Sequence, residues 1–338
     1  MLGIMLVNTG TATEPTEEAI REHLRVFLSD RHLVNCPPAI WQPILRLFIL
    51  PSRPRKTLPL YQEFWTLDGS PFTLTCMEQR GIVERKLREH LDEPFLVRFA
   101  MRYDPPRIGK VLQELSDAEC ERIIVLPMYP QWTVPCAGTS LDELDDEYAC
   151  RFGGPQDGSG TGPHIVKIHD FWKEPGYIQA LAASIRRTWN YEPGAKLVMS
   201  FHSIPLSYVE KLGDTYLETT NATLMETGRE LGIPDDDLVL TYQSRFDSRK
   251  WAGPFLLPTV KQLAADGVTN IAVVSPIFTS ECIETHFETN LETKAAFEDA
   301  ARKAGCDNAN FTYVPALGTD EAFMNVIAHL LARTARTA

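Results

Sequence analysis

The chain has 338 residues, 44% of them hydrophobic and 23% charged, and this length is enough for two ordinary domains with sizeable cores. The formal net charge of −12 argues against a nucleic-acid partner, because phosphate binding requires a broad basic surface. The seven cysteines are widely spaced and form no CxxC pair, so the sequence shows no local signature of a structural zinc or iron–sulfur site.

The first seven residues form a short apolar run without a basic flank or a small-residue cleavage site. This run predicts a first β-strand rather than a signal peptide. No stretch of the chain reaches the roughly 18 consecutive apolar residues that a membrane-spanning helix needs. We therefore expect a cytoplasmic protein.

Short apolar runs alternate with helical patterns along the chain. The predicted strands cover 3–8, 95–101, 122–127, 197–201, 238–243 and 271–276, and helical patterns between them include 78–91, 108–115 and 258–266. Most of the strands are apolar throughout, which is typical of parallel strands buried on both faces. The alternation predicts a doubly wound α/β architecture.

The two halves carry a similar pattern. A strand that ends in Arg-aromatic-Asp, at 102–104 and again at 245–247, precedes a helix and a strand that runs into proline and an aromatic residue. This similarity predicts two related α/β domains, over 1–170 and 171–318, and a C-terminal helix over 319–333 that packs back on the body. Ligands of such sheets bind at the carboxyl ends of the strands, which directs attention to the residues that follow them.

His202 directly follows the strand that ends at Phe201, so it is expected at the carboxyl edge of its sheet. A neutral imidazole can bind a divalent metal or accept a proton near neutral pH. The alternative is a histidine that only hydrogen-bonds a neighbouring backbone group.

Glu284, Glu288 and Glu292 are spaced by four residues and form one stripe on a helix, which a locally wider π-type turn would align better. The stripe is either a solvated acidic face or a carboxylate ladder that carries protons or hydrated cations. Cys282 and His286 flank Glu284, and we interpret Cys282 as a small buried hydrophobic residue rather than a ligand.

Two further segments suggest a hydrophobic ligand. The aromatic and hydroxyl groups of 129–139 suit a flat apolar molecule with polar edges, and no dinucleotide or phosphate-binding glycine motif occurs in the chain. The apolar segment 37–56 has prolines near both ends and a basic tail of Arg53, Arg55 and Lys56. It is either a core helix or an apolar lip over the ligand that also contacts a membrane surface.

Several of these segments together resemble the ferrochelatase family. They are FHSIP at 201–205, YQSRF at 242–246 with Trp251, PIFTSECIET at 276–285, LPMYPQ at 126–131, DGSP at 68–71 and MRY at 101–103. The segments occur in the family's order and span nearly the whole chain, which makes the combination specific although each motif alone is weak.

The resemblance implies two Rossmann-like domains, each around a parallel four-stranded sheet, with a porphyrin cleft between them. It implies insertion of ferrous iron into a porphyrin in haem biosynthesis, with His202 facing Glu284 across the macrocycle as proton acceptor or metal ligand. The ladder of Glu288 and Glu292 is the implied path for protons or metal, on a helix described as π-type. The implied porphyrin contacts are Tyr129, Gln131, Trp132, Thr133, Trp251 and Thr13.

The chain departs from the family pattern at several positions. Many relatives have Asp-His where this chain has Glu281-Cys282, and Thr13 lies where one subgroup has a metal-contacting tyrosine, so a metal role for Thr13 is not expected. Cys306 is the only late cysteine, so we expect no iron–sulfur cluster and no tightly bound cofactor. Porphyrin and ferrous iron are the expected partners.

The sequence leaves finer points as expectations. The apolar lip favours protoporphyrin IX over coproporphyrin, and we expect a monomer with peripheral contact at the inner membrane face through 37–56. One alternative function is a cobalt or nickel chelatase for an earlier tetrapyrrole, which tends to use paired histidines and would have only His286 as its second. The other is a non-catalytic porphyrin or haem carrier, which needs an axial ligand but no acidic ladder.

Overall fold

The structure, a computed structural model, describes residues 1–245 and 248–337 and confirms the predicted α/β class. Two four-stranded parallel sheets are present. The first contains β1 (Leu2–Asn8), β2 (Phe95–Met101), β3 (Arg122–Pro127) and β4 (His164–Lys167), in the order β2-β1-β3-β4. The second contains β5 (Lys196–His202), β6 (Leu238–Gln243), β7 (Asn270–Val274) and β8 (Asn310–Val314), in the order β6-β5-β7-β8. The two sheets therefore share one strand order.

The chain divides into two compact units. The first contains Met1–Tyr129, Val134–Asp170 and the end of the chain from Ile327 onward, and the second contains Pro130–Thr133 and Phe171–Val326. Four residues of the first half thus group with the second sheet. Phe246 and Asp247, which complete the second Arg-aromatic-Asp pattern, lie outside the described residues.

The helices of the first unit are α1 (Glu17–Phe27), α2 (Pro38–Ile44), α3 (Arg53–Phe64), α4 (Pro71–Leu87), α5 (Ile108–Asp117) and α6 (Thr139–Phe152). Sequence explains their ends: the Thr16 side chain accepts a hydrogen bond from the Ala19 amide at the start of α1. The apolar stripe of α5, at Ile108, Val111, Leu112 and Leu115, packs in the core against the sheet.

The helices that begin in the second unit are α7 (Tyr177–Thr188), α8 (Leu206–Leu212), α9 (Tyr216–Leu231), α10 (Leu256–Ala265), α11 (Thr293–Lys303) and α12 (Glu321–Thr337). The core of this unit joins Val198 and Val273, from the two central strands, to Val260 of α10 and Phe297 of α11. Among the helices of 1–245 and 248–337, none has the length and hydrophobicity that crossing a bilayer requires.

The segment 37–56 packs in the core on one side, as one of the two alternatives predicted, and is exposed on the other. It forms α2, a π-helix over Leu45–Ile49 and the first turn of α3. Leu45 and Leu50 are buried against Leu28, whereas Leu47 and Phe48 are 68% and 70% exposed. One face is therefore core and the other is an exposed apolar surface, which we call the lip face.

A buried ion network fixes the residues that follow β2 in the first unit. Asp30 accepts hydrogen bonds from Arg102 (3.0 Å), Tyr103 (2.6 Å), Thr139 and His32. Burial alone would raise the pKa of Asp30, but the hydrogen bonds from His32, Thr139 and Tyr103 and the charge of Arg102 outweigh it and hold that pKa well below its ordinary value. Asp30 is thus an ionised anchor for the Arg102–Tyr103 turn.

Candidate active site

The candidate site begins at the carboxyl end of β5 in the second unit. His202 is the last residue of β5 and pairs in register with Gln243 of β6. The Ser203 amide donates to the Gln243 carbonyl oxygen (2.7 Å), and the Ser203 hydroxyl donates to the Ala252 carbonyl oxygen (2.8 Å). The backbone around His202 is therefore held on both sides, so the imidazole starts from a fixed Cα position.

The half-buried imidazole of His202 lies with Nδ1 2.7 Å from the Ser203 carbonyl oxygen. A carbonyl oxygen only accepts, so this bond requires the proton on Nδ1. In the neutral ring the lone pair then resides on Nε2. The sequence offered a hydrogen bond to the backbone as an alternative to a chemical role for His202. The observed bond instead selects the tautomer in which Nε2 can accept a proton or bind a metal.

The three glutamates lie on a π-helix over Glu284–Glu292, which follows β7, the neighbour of β5 in the sheet. The Thr293 hydroxyl donates to the carbonyl oxygen of Glu288, five residues back (2.6 Å), which is the spacing of a π-type turn. Thr289 and Thr293 are fully buried, while Glu284 and Glu292 are exposed and Glu288 is partly exposed. The carboxylates therefore share the accessible side of the helix.

Glu288, the middle carboxylate, is tied to the loop after β6. Its Oε1 accepts the Ser244 amide (2.9 Å) and its Oε2 accepts the Ser244 hydroxyl. Ser244 has a left-handed backbone with φ of 60°, which a non-glycine residue adopts at a cost. The hydrogen bonds from Ser244 to the Glu288 carboxylate offset that cost. They also link the π-helix to the end of β6, the strand that pairs with β5 beside His202.

Glu292 has a raised pKa, because partial desolvation of its carboxyl group disfavours the charged form even though the residue is largely exposed, and the charge of Glu288 adds to this effect. Its folded pKa lies above the ordinary value of 4.5, so the stability that the protonated form contributes is lost as the pH rises through the folded pKa. Glu292→Gln, which stays neutral, is therefore expected to melt at a higher temperature than the wild type at neutral pH. The difference should shrink as the pH falls below the ordinary value of 4.5, where Glu292 becomes protonated in the folded and the unfolded chain.

Thermal unfolding followed by circular dichroism across this pH range measures the effect, with Glu298→Gln, at a partly exposed position of α11, as the control. A lower melting temperature for Glu292→Gln at neutral pH would contradict the assigned direction of the pKa shift.

Gln243 is buried and accepts several hydrogen bonds, a role that the sequence did not predict. Its Oε1 accepts from the hydroxyls of Ser200 (2.8 Å), Thr289 (2.8 Å) and Ser275 (3.3 Å), and the side chain is 2% exposed. It thereby joins β5, the end of β7 and the π-helix. Ser200, Gln243 and Ser275 are polar residues in or directly after otherwise apolar strands. This pattern is visible in the sequence, but the sequence does not show that the three side chains are in contact.

Cys282 and Glu281, which lie close to Glu284 in the chain, are both engaged within the fold. Burial, followed by the charge of Glu284, raises the pKa of the Cys282 thiol well above its ordinary value, which disfavours the thiolate that binds metals. The interpretation of Cys282 as a small buried residue fits this result. Glu281 accepts hydrogen bonds from the Tyr313 hydroxyl and the Ala316 amide (2.6 Å), so it is engaged within the fold. Within residues 1–245 and 248–337, no group of three or more His, Cys, Asp and Glu side chains is arranged to hold a metal ion.

The residues implied as porphyrin contacts fall in both units. In the first unit, Thr13 is exposed in the loop after β1, and Tyr129 is 4% exposed with its hydroxyl hydrogen-bonded to Thr9. In the second unit, Trp251 is 9% exposed, and Arg249 lies over its ring at 5.4 Å from the centroid. Of the three consecutive residues Gln131, Trp132 and Thr133, only Trp132 retains accessible surface, while the outer two are buried.

Comparison with known proteins identifies the family. The family model described as Ferrochelatase matches residues 1–335. A ferrochelatase of Methylococcus capsulatus is 35% identical over 97% of this chain and 95% of its own length. A ferrochelatase of Thioalkalivibrio sulfidiphilus is 34% identical over 98% and 86%. A protein of Streptococcus mutans named coproporphyrin III ferrochelatase is also 34% identical, over 98% of this chain and 97% of its own length.

Solved structures agree on the fold. SirB from Bacillus subtilis, solved with Fe³⁺, has a TM-score of 0.52 at 14% identity and covers 79% of this chain and 92% of its own. A multi-domain protein of Deinococcus radiodurans, described as structurally similar to chelatases, has a TM-score of 0.50 at 14% identity, covering 98% of this chain and 54% of its own. The match over nearly the whole sequence, on a fold shared with chelatases, shows that this chain belongs to the ferrochelatase family of metal chelatases.

Proposed function

We propose that this chain inserts ferrous iron into a porphyrin, with protoporphyrin IX as the preferred substrate and protohaem as the product. The observation that carries the proposal is the state of His202. Its Nδ1 is committed to the Ser203 carbonyl, so Nε2 is the basic nitrogen at the edge of the sheet. The strand next to it leads into the acidic π-helix.

Metal insertion requires that two pyrrole N–H protons leave the porphyrin as the ion enters. Nε2 of His202 accepts a pyrrole proton, and Glu284, Glu288 and Glu292 give protons or hydrated iron a negatively charged path along one helix face. A flat macrocycle shields its nitrogens, so binding that favours a bent macrocycle accelerates entry. Iron keeps its oxidation state, and the step consumes neither electrons nor a nucleotide. The proposal therefore includes no tightly bound cofactor and no iron–sulfur cluster.

The proposed preference for protoporphyrin IX rests on the exposed apolar lip face, and the identity to known relatives does not contribute to it. Proteins named ferrochelatase and coproporphyrin III ferrochelatase match this chain at the same 34% identity, so the overall identity does not discriminate between the substrates. The lip face presents Leu47 and Phe48, which suit the less carboxylated protoporphyrin IX better. We expect purified protein with ferrous iron to consume protoporphyrin IX faster than coproporphyrin III. Faster loss of coproporphyrin III fluorescence would overturn this preference.

The lip face also fits peripheral contact with the cytoplasmic side of a bilayer by a monomeric protein. Leu47 and Phe48 are exposed, and the basic residues Arg46 and Arg53 lie beside them in the chain. Apolar side chains that enter a bilayer and basic ones that meet anionic lipids favour binding together. The variant Leu47→Asn/Phe48→Asn is expected to bind vesicles of phosphatidylethanolamine and phosphatidylglycerol at least about tenfold more weakly.

Flotation of the protein with these vesicles measures the effect. Leu67→Asn is the matched control, because Leu67 is a fully exposed leucine outside the lip face. Equal flotation of the wild type and the double variant would remove the lip face from membrane contact.

A further inference from the structure

The segment Pro130–Thr133, which we call the Trp132 segment, is held in the second unit by backbone bonds at its first residue. The Pro130 carbonyl oxygen accepts the amides of Phe171 and Trp172, both at 3.0 Å. These bonds fix where the segment begins. The side chains of Gln131 and Thr133 are held instead by two contacts at or near α9.

The first contact involves Asp214, a carboxylate only 2% exposed just before α9. Its Oδ2 accepts the Thr133 hydroxyl (2.7 Å), and its Oδ1 accepts the Tyr216 amide at the start of the helix (2.9 Å). Both carboxyl oxygens of Asp214 are thus engaged, and a side-chain oxygen that accepts an amide at the amino end stabilises the start of a helix. The end of the Trp132 segment is thereby bound to the start of α9.

The second contact involves Thr223, two turns further along α9. The Thr223 hydroxyl donates to the Thr219 carbonyl oxygen (2.8 Å), so it accepts from Gln131 Nε2 (3.0 Å). Gln131 and Thr223 are both fully buried. Trp132 thus lies between two anchored neighbours and is the residue of the three with accessible surface.

We propose that Asp214 and Thr223 are positioning residues that set the pose of Trp132 against the porphyrin. The inference rests on the proposed function. Gln131 and Thr133, which are 0% and 1% exposed, then act by anchoring the segment rather than by contacting the ligand. An indole that stacks on a flat macrocycle must lie parallel to it, so a loosened anchor weakens porphyrin binding.

The test uses valine, which keeps the shape of threonine but loses its hydroxyl. Thr223→Val and Thr133→Val are each expected to weaken protoporphyrin IX binding about fivefold, as loss of one buried hydrogen bond implies. The porphyrin KM should rise in parallel, with kcat changed by less than about twofold. Thr133→Ser keeps the donor and should bind nearly as the wild type does. Thr227→Val is the matched control, since Thr227 is a fully buried α9 threonine whose hydroxyl bonds the Thr223 carbonyl.

A thermodynamic cycle separates positioning from a general structural effect. In a Trp132→Ala background, Thr223→Val is expected to add no further loss of porphyrin affinity, because the group that it positions is gone. Additive losses would overturn the proposal, as would a Thr223→Val protein that binds porphyrin like the wild type while Thr133→Val does not. If Thr223→Val fails to fold, Gln131→Met breaks the same bond from the other side. A wild type that binds no porphyrin would refute the proposed function itself, which is a distinct result.

Discussion

Replacing His202 with alanine is expected to lower the rate of iron insertion by a factor of about a hundred to ten thousand, the usual contribution of a positioned general base. The reason is geometric. The Ser203 carbonyl holds Nδ1 in its protonated form, so Nε2 is the nitrogen that receives a pyrrole proton in the mechanism that we propose, and alanine provides no substitute. The fold should persist, because the backbone bonds of Ser203 to Gln243 and Ala252 do not involve the imidazole.

The rate is measured as loss of free-base porphyrin fluorescence after anaerobic addition of ferrous iron. His286→Ala on the π-helix is the informative control, because a cobalt- or nickel-type chelatase that uses paired histidines would need His286 as much as His202. Full activity of His202→Ala with an intact melting curve would remove this residue from the chemistry. An equal loss in His286→Ala would instead favour the two-histidine mechanism.

Glu284→Gln is expected to slow insertion by about tenfold to a hundredfold, since the amide keeps the shape of the side chain but neither ionises nor binds iron as well. Glu284 is the first carboxylate of the π-helix and is exposed on its accessible side. The loss should be largest at limiting iron, because the removed charge attracts the cation. Porphyrin affinity should change little.

The matched control for this experiment is Glu298→Gln, a partly exposed glutamate of α11 that shares the charge change but not the position. A normal rate for Glu284→Gln at limiting iron would exclude the acidic ladder as the route of iron. Equal slowing in both variants would point to a general effect of net charge.

The core of the fold could be predicted from the sequence because six of the eight strand segments are strongly apolar. The predicted strand at 95–101 coincides with β2, and the one at 197–201 is one residue shorter than β5 at each end. The strands β4 and β8, each at one of the two edges of its sheet, were missed. They have four and five residues and are only partly buried, so the apolar signal is weak there. Predicted helices had the right places but shifted ends, as at α4, where Pro71 starts the helix seven residues early.

The site was predictable where it depends on order along the chain. His202 is at a strand end as expected, and the glutamates lie together on a π-helix. The hydroxyl cluster around Gln243 and the anchors of the Trp132 segment could not be predicted, because they join residues far apart in sequence. The burial of Gln131 and Thr133 could not be predicted either, because the sequence shows only that polar residues flank Trp132.

The central claim is that His202 removes a pyrrole proton while iron enters, and one anaerobic mixing experiment tests it most directly. Protoporphyrin IX and ferrous iron are added to the wild type and to His202→Ala, and the absorption spectrum is followed from the free base to the iron porphyrin. The account predicts conversion by the wild type over many turnovers, and almost none by the variant, while both bind the porphyrin. Binding without conversion by the wild type would contradict it and would indicate a porphyrin carrier.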